Sequence, residues 1–428
     1  MGEAAKISLK AIGKQDTHLL SKDPEDSFFK YKMNKFSNFT KLIKSTVVTK
    51  PSTDTNWPFG RTVIVEFNPR QMEDLLSDMW IKLKMPKLNN TTNYPDQLSL
   101  HIIKSITMYV DGIKLEELTD DWNFIYNELY LSDTQHEAIQ LLTNNGFNYT
   151  YFARQGGDLG FLDREMLIPL HFFFSRKYDA SENRPCFPLC SIYRQKITFE
   201  IQFHKQSFFT NFSDTITLPE FTILTEEIKL ESEERLYLAS SPYTFSPDIV
   251  YKHSEQSSEV NIRRFKMNFS TDNATKIFHW FYRRQENENE DDSTKYKLRF
   301  NLTSNPVEFR RADGKRFEIA ESFQIFLNGE SVQYVSGDQN HRYFKYYTPY
   351  ESGLNTPTTH IYTYNLSLYP SKHQQSGILD FKKINSDKSF IETEFHKSLD
   401  LSTLYKMHMY YIAYNQFDFR DGFMTVRD

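Results

Sequence analysis

The chain has 428 residues, 39% of them apolar, a net charge of −5 and a mean hydropathy of −0.61. This composition excludes a disordered chain, and the near-balance of charge excludes one built around a nucleic-acid groove. A single core seldom grows past about 250–300 residues, so the length predicts two domains.

Phe and Tyr are abundant, at 37 and 26 residues, which favours strands and large buried areas. The first 50 residues carry ten lysines against five acidic residues and read as a basic arm, either solvated or in contact with an acidic partner. They hold no 7–15-residue apolar core of the secretory type, so the protein is expected to be made and kept in the cytosol. No apolar run approaches the roughly 18 residues of a membrane helix.

Beyond the arm, Asn68-Pro69 ahead of RQMEDLLSDM has the form of an N-cap with proline at the first helical position, which predicts a short helix. MWIKLKM (79–85) alternates as a strand with Met79, Ile81, Leu83 and Met85 on one face. Residues 86–98 read as a loop. SITMYVDG (105–112) reads as a strand ending in an Asp111-Gly112 turn. Asp120-Asp121 before Trp122 fits the start of a helix, where acidic residues favour the dipole. Ser132 with Gln135 predicts a capping box for a second helix. The glycines of QGGDLGF (155–161) read as a turn, and LIPLHFFF (167–174) is strand-sized. In QKITFEIQF, Ile197, Phe199, Ile201 and Phe203 alternate with polar residues.

In the second half, the acidic run Glu286 to Asp292 reads as a solvated loop. YKLRFNL (296–302), SFQIFLNG (322–329), THIYTYNLSLYP (through Tyr362, Tyr364, Leu366 and Leu368) and KMHMYYIAYN (through Met407, Met409, Tyr411 and Ala413) all alternate as strands. Asn145-Gly146, Asp313-Gly314, Asn328-Gly329 and Asp421-Gly422 mark further turns. At an offset of 217, MWIKLKM falls on YKLRFNL and SITMYVDG falls on SFQIFLNG. One offset serving two strands suggests a duplicated fold with a seam near 205–220. Short alternating strands joined by long polar loops predict sandwiches or barrels, and eight-stranded jelly rolls suit this length. The division expected is an arm at 1–27, a first roll at 28–210 and a second roll at 211–428.

Catalytic signatures are missing. There is no G-x-S-x-G, no phosphate-binding loop and no H-E-x-x-H. Cys186 and Cys190 are too few for a disulfide framework or a four-ligand metal site, and the spacing of His171 and His204 fits no usual zinc pattern. Tyr346, Tyr347 and Tyr350 could stack on sugars, but loop packing or a subunit contact is the stronger reading. Asn38, Asn148, Asn211, Asn268, Asn301 and Asn365 head N-x-S/T sequons, read as Asn-rich turns and strand ends. No catalytic, cofactor-binding or metal-binding residue is therefore assigned, and the chain is not expected to be an enzyme.

Four segments together resemble a known family: DSFFKYKMNKFSNFT (26–40), KSITMYVDGIKLEELTDDWNFIYNEL (104–129), MLIPLHFFFSRKYDASENRPCFPLCSIYRQKITFEIQF (166–203) and HRYFKYYTPYESGLNTPTTHIYTYNLSLYPSKHQQSGILDFKKIN (341–385). They are similar to the double-jelly-roll major capsid proteins of nucleocytoplasmic large DNA viruses and their virophage-like and transposon-like relatives. The resemblance implies an all-β chain of two tandem eight-stranded antiparallel jelly rolls with short helices in the loops. It further implies a homotrimer that forms pseudo-hexagonal capsomers tiling an icosahedral virion shell, assembled in the host cytoplasm. The expected partners are neighbouring capsomers, minor capsid or penton proteins and, through the arm, an internal membrane or its proteins. Direct nucleic-acid binding and a cofactor are not expected. The alternatives are a viral assembly scaffold of the same fold and a jelly-roll carbohydrate-binding module.

Overall fold

Strand pairing repeats one pattern twice along the chain. The structure, a computed structural model, describes residues 36–86, 88, 94–95, 97–143, 165–176, 185–269, 271–304, 318–333 and 340–427. The arm at 1–27, Asn145-Gly146, Asn148, the glycines of 155–161 and Asp313-Gly314 lie outside the described residues.

The first half contains β1 (Phe39–Thr49), β2 (Thr62–Phe67), β3 (Leu75–Lys84), β4 (Ile103–Val110), β5 (Ile113–Thr119), β6 (Glu165–Pro169), β7 (Ile197–Phe203) and β8 (Glu220–Leu230). They form two antiparallel sheets, ordered β1-β8-β3-β6 and β2-β7-β4-β5. The second half contains β9 (Asp248–Lys252), β10 (Arg264–Asn268), β11 (Ala274–Arg284), β12 (Ala320–Leu327), β13 (Glu330–Gln333), β14 (Ile361–Asn365), β15 (Phe390–Phe395) and β16 (Tyr405–Tyr414). Its sheets run β9-β16-β11-β14 and β10-β15-β12-β13. Adding eight to each label of the first half reproduces the second, and each half is a jelly roll. Short strands at Phe187–Pro188, Gln256–Ser257 and Leu379–Asp380 add to these sheets. A separate three-stranded sheet joins Tyr243–Phe245 to the C-terminal hairpin of Phe417–Arg420 and Phe423–Val426.

Two hairpin turns show how sequence sets register. Asp111-Gly112 between β4 and β5, and Asn328-Gly329 between β12 and β13, have positive φ at both positions. That backbone matches the right-handed twist of the flanking strands, and only small or Asn/Asp residues take it cheaply. These hairpins are the part of the 217-residue offset that the fold keeps.

The other part fails. YKLRFNL forms no strand; residues 296–300 are turns and a bend, and 301–302 are irregular. Arg299 lies fully buried there, and its guanidinium donates to the carbonyls of Ser207, Phe208, Asn287, Asn289 and Asp292. Five bonds to irregular backbone hold it as a hub, which a ladder position could not provide. The true partner of β3 is β11, whose start lies 199 residues on. The helix expected after Asn68 also shortens. Asn68 does accept from the Arg70 N–H, but the helix is a single 3-10 turn, Pro69–Gln71. Leu75 and Leu76 then pair with Ile228 and Glu227 of β8, so sheet formation overrides local propensity. In the Tyr-rich segment the strand stops at Asn365, and Leu368 is exposed. Of LIPLHFFF, only the start lies in β6; Phe172, Phe173 and Phe174 are buried beyond it.

β8, assigned to the second half by the sequence, pairs with β1 and β3 inside the first sheet. A cut at residue 210 would remove the central strand of that sheet, so the expected boundary of 210/211 does not match the pairing.

One apolar cluster fills the first roll, with Met79, Ile81, Ile106, Trp122 and Phe199, and continues into Ile277, Phe281, Tyr410 and Ile412 of the second. The other cluster, around Phe278, Trp280, Phe323 and Met409, is the second roll's own interior. The C-terminal hairpin is docked on the first roll. Phe417 meets Phe173 edge-on at 5.6 Å, and Met424 exchanges hydrogen bonds with Gln195.

Candidate functional site: the seam and the outward faces

The sheet β9-β16-β11-β14 is covered on both faces. Along β11, Phe278, Trp280 and Tyr282 enter the second roll's core, while Ile277 and Phe281 join the first roll's cluster. His279 lies on that same outer face. β16 divides likewise, with Met407, Met409, Tyr411 and Ala413 inward as the alternation predicts, and His408, Tyr410 and Ile412 toward the first roll. A strand buried on both sides loses the polar alternation that marks a half-exposed one.

The first roll meets this face with α1 (Asp120–Leu129). Thr119 caps the helix by accepting from the Trp122 N–H, and Asp120 and Asp121 fall in its first turn, where the dipole favours them. Trp122 then lies 6.2 Å from both His279 and Tyr410, and Phe124 lies 5.0 Å from Phe300. The Tyr130 hydroxyl shares a 2.7 Å hydrogen bond with His279, and Thr119 one of 2.8 Å with Tyr410. Burial holds the His279 pKa down to about 3, so its imidazole is neutral. The capping box of the next helix, α2 (Asp133–Leu142), forms as expected from Ser132 and Gln135.

Charges run through the same seam. Arg283 at the end of β11 donates to both oxygens of Asp121, at 2.7 and 3.2 Å, and to Glu288 at 3.1 Å. His408 pairs with Glu288 and lies 3.4 Å from Glu255; Lys406 pairs with both acids. Burial and Arg283 would lower the His408 pKa, but Asp121, Glu255 and Glu288 outweigh them and raise it. Burial opposes ionisation of Glu288, yet Arg283 and His408 hold its carboxyl well below the usual range. Glu116 pairs with Arg176 and Asp248 with Lys276, all four side chains buried.

The acidic run is therefore not simply a solvated loop. Glu290 pairs with Lys104 at 2.7 Å and Asp291 with Lys205 at 2.8 Å. Glu290 also lies 3.6 Å from His204, which is stacked on Phe208 and bonded to Asp120 at 3.1 Å. The sequence did not single out Arg283, His408, Glu288 or Arg299. A signal was present, since His279, Arg283 and His408 sit inside otherwise apolar strands, where a polar side chain requires a buried partner.

Elsewhere, Tyr346, Tyr347 and Tyr350 are exposed on a helical segment spanning 343–351. The outer face of β1 is also exposed, with Ile43 and Val47. Cys190 is a free thiol, and burial raises its pKa to about 11, which makes it a poor nucleophile. Among the described residues no group of three or more His, Cys, Asp or Glu is arranged to hold a metal. His171 stacks on Tyr126 at 4.2 Å. Asn301 is fully buried, which removes it as a glycan acceptor, whereas Asn211 and Asn268 are exposed.

Family models match nearly the whole chain in order: the major capsid protein N-terminus over residues 27–238, and the large eukaryotic DNA virus major capsid protein over residues 229–424. The chain belongs to the major capsid proteins of large DNA viruses. This is a structural family and not an enzyme family. Among relatives, the major capsid protein of Paramecium bursaria Chlorella virus 1 is 22% identical over 404 residues, covering 88% of this chain and 84% of that protein. The major capsid protein of Pyramimonas orientalis virus is 21% identical over 383 residues, with 89% of each covered. Among solved structures, a chain of the Chlorella virus capsid aligns at a TM-score of 0.72 and 18% identity, covering 94% of this chain and 100% of that one. The Faustovirus major capsid protein aligns at a TM-score of 0.65 and 13% identity, covering 94% of each. The capsid-protein fold thus spans both rolls.

Proposed function

We propose that three copies of this chain associate into a capsomer with a near-hexagonal outline, which tiles an icosahedral virion shell assembled in the host cytoplasm. The observation that carries this reading is the repeat of one strand order within a single polypeptide. A trimer has threefold symmetry, whereas most positions of an icosahedral shell have six neighbours. Two like rolls per chain give three chains six similar edges. In this reading the rolls divide in the connection 231–247 and not at residue 210, because β8 pairs within the first sheet. The lysine-rich arm points inward, toward minor capsid proteins or an internal membrane, and penton proteins and neighbouring capsomers meet the rims.

Sedimentation of the purified chain with negative-stain microscopy tests the reading. Particles of three times the 50.9 kDa chain mass with a six-lobed outline are expected. A stable monomer at micromolar concentration overturns it. Mass spectrometry of mature particles separates a shell protein, which is present as a major component, from a scaffold, which is absent.

A further inference from the structure

Equivalent faces of the two rolls are treated differently. In the second roll, the outer face of β9-β16-β11-β14 is covered by the first roll: Ile277, His279, Phe281, Tyr410 and Ile412 are all 0–1% exposed. Among the described residues, the equivalent outer face of the first roll, on β1-β8-β3-β6, is open. Register puts Ile43, Ser45 and Val47 opposite Glu226, Leu224 and Thr222, and Trp80 opposite Leu224, so these residues share one face. Ile43 is 67% and Val47 53% exposed there, while Trp80 and Leu224 are half-buried.

The covering elements correspond too. What seats on the second roll's face is α1, which lies in the connection from β5 to β6. The matching connection, from β13 to β14, carries the helical segment 343–351. Its Phe344 is anchored against Trp280 and Phe323 of its own roll, at 5.7 and 5.6 Å. Tyr347 and Tyr350 project outward at 50% and 75% exposure. Among the described residues, the first roll thus has an apolar face without a cover, and the second roll has the matching cover with Tyr347 and Tyr350 exposed.

We propose that a second copy of this chain supplies the missing half: its Tyr347–Tyr350 segment seats on the Ile43–Val47–Leu224 face, repeating between chains the seam that joins the rolls within one. Such a contact is head-to-tail, and a head-to-tail contact closes into a ring when its rotation divides the circle. Aromatic side chains over β-branched residues suit a desolvated interface core. Lys41 and Lys82 at the border of the face are already paired with Glu226 and Glu165 of their own chain, so the contact proposed is an apolar one. This inference rests on the capsomer reading and adds which surfaces meet.

In a Cys186→Ser, Cys190→Ser background, Val47→Cys and Tyr350→Cys chains are co-expressed and treated with a flexible bismaleimide. A two-chain product that requires both cysteines is expected; Val47→Cys with Leu141→Cys, on α2, serves as the control and should give none. As a second readout, Ile43→Lys with Val47→Lys should reduce the sedimenting mass threefold with an unchanged far-UV circular dichroism spectrum. If trimers form without the Val47–Tyr350 product, the inference falls and the capsomer reading stands. If the unsubstituted chain does not form trimers, both fall.

Discussion

Arg283 and Asp121 meet as a two-point ion pair across 162 positions of sequence, one at the end of β11 and the other in the first turn of α1. Both side chains are almost wholly shielded from water, and they tie the second roll's central sheet to the helix that covers it. Removing one partner strands the other charge in a dry interface. Arg283→Met should therefore destabilise the chain by about 3–5 kcal/mol. Adding Asp121→Asn should recover much of that loss. Denaturant unfolding of the two single variants and the double variant measures the coupling, and additive losses would show that the pair does not act as a unit.

Two histidines in the same seam should respond to pH in opposite directions. The His408 pKa is raised in the folded chain. Its contribution is fully present below the ordinary value of about 6.5 and is lost as pH rises through the raised value. The His279 pKa is lowered to about 3. Its contribution is present above about 6.5 and is lost as pH falls toward 3, because a buried neutral imidazole must take up a proton. The melting-temperature difference between the unsubstituted chain and His408→Gln should shrink from pH 6 to 9. The difference for His279→Gln should shrink from pH 6.5 to 4. Parallel slopes for the two variants would contradict this assignment.

Arg299 organises the 286–292 loop through bonds to five carbonyls. Arg299→Met leaves these acceptors without their donor inside the fold, at about 1–3 kcal/mol for each group that water cannot reach. Hydrogen exchange followed by mass spectrometry should show faster exchange in 286–303 and in 205–209, with the interior of the second roll unchanged. Uniform acceleration across the chain would mean that the loop is not a local unit.

Gly422 and Gly112 occupy equivalent positions in two tight turns, with φ of +82° in each, but their surroundings differ. A Cβ at Gly422 would lie 2.7 Å from the Tyr193 ring, whereas one at Gly112 meets nothing within 4 Å. Gly112→Ala should cost only the backbone term, about 1–2 kcal/mol. Gly422→Ala adds a clash and should release the C-terminal hairpin from the first roll. Limited proteolysis should then cut near residue 416 in Gly422→Ala and not in Gly112→Ala. Equal resistance of the two would exclude the clash as a significant strain.

Much of the fold was legible because its signals are local. Alternation in 79–85, 197–203 and 406–415 marks strands that became β3, β7 and β16, since a period of two reports which face is buried. Asp111-Gly112 and Asn328-Gly329 fixed two hairpins, because their backbone angles are a property of the residues themselves. Ser132 and Gln135 closed the capping box for the same reason. The four family-like segments together pointed to the double jelly roll and to a shell protein.

The class of structure, the tight turns and the doubling of the fold can be read from the chain, because they depend on residues close together or on a pattern repeated along it. Packing, by contrast, sets which strand completes the first roll, turns YKLRFNL around Arg299, and joins Asp121, Glu288 and His408 to Arg283 in one buried network. Asp121 and His408 reach Arg283 across 162 and 125 positions, and Arg299 gathers carbonyls from 7 to 92 positions away. Whether a charged side chain is solvated or locked is set by what packs against it, and periodicity carries no record of that partner.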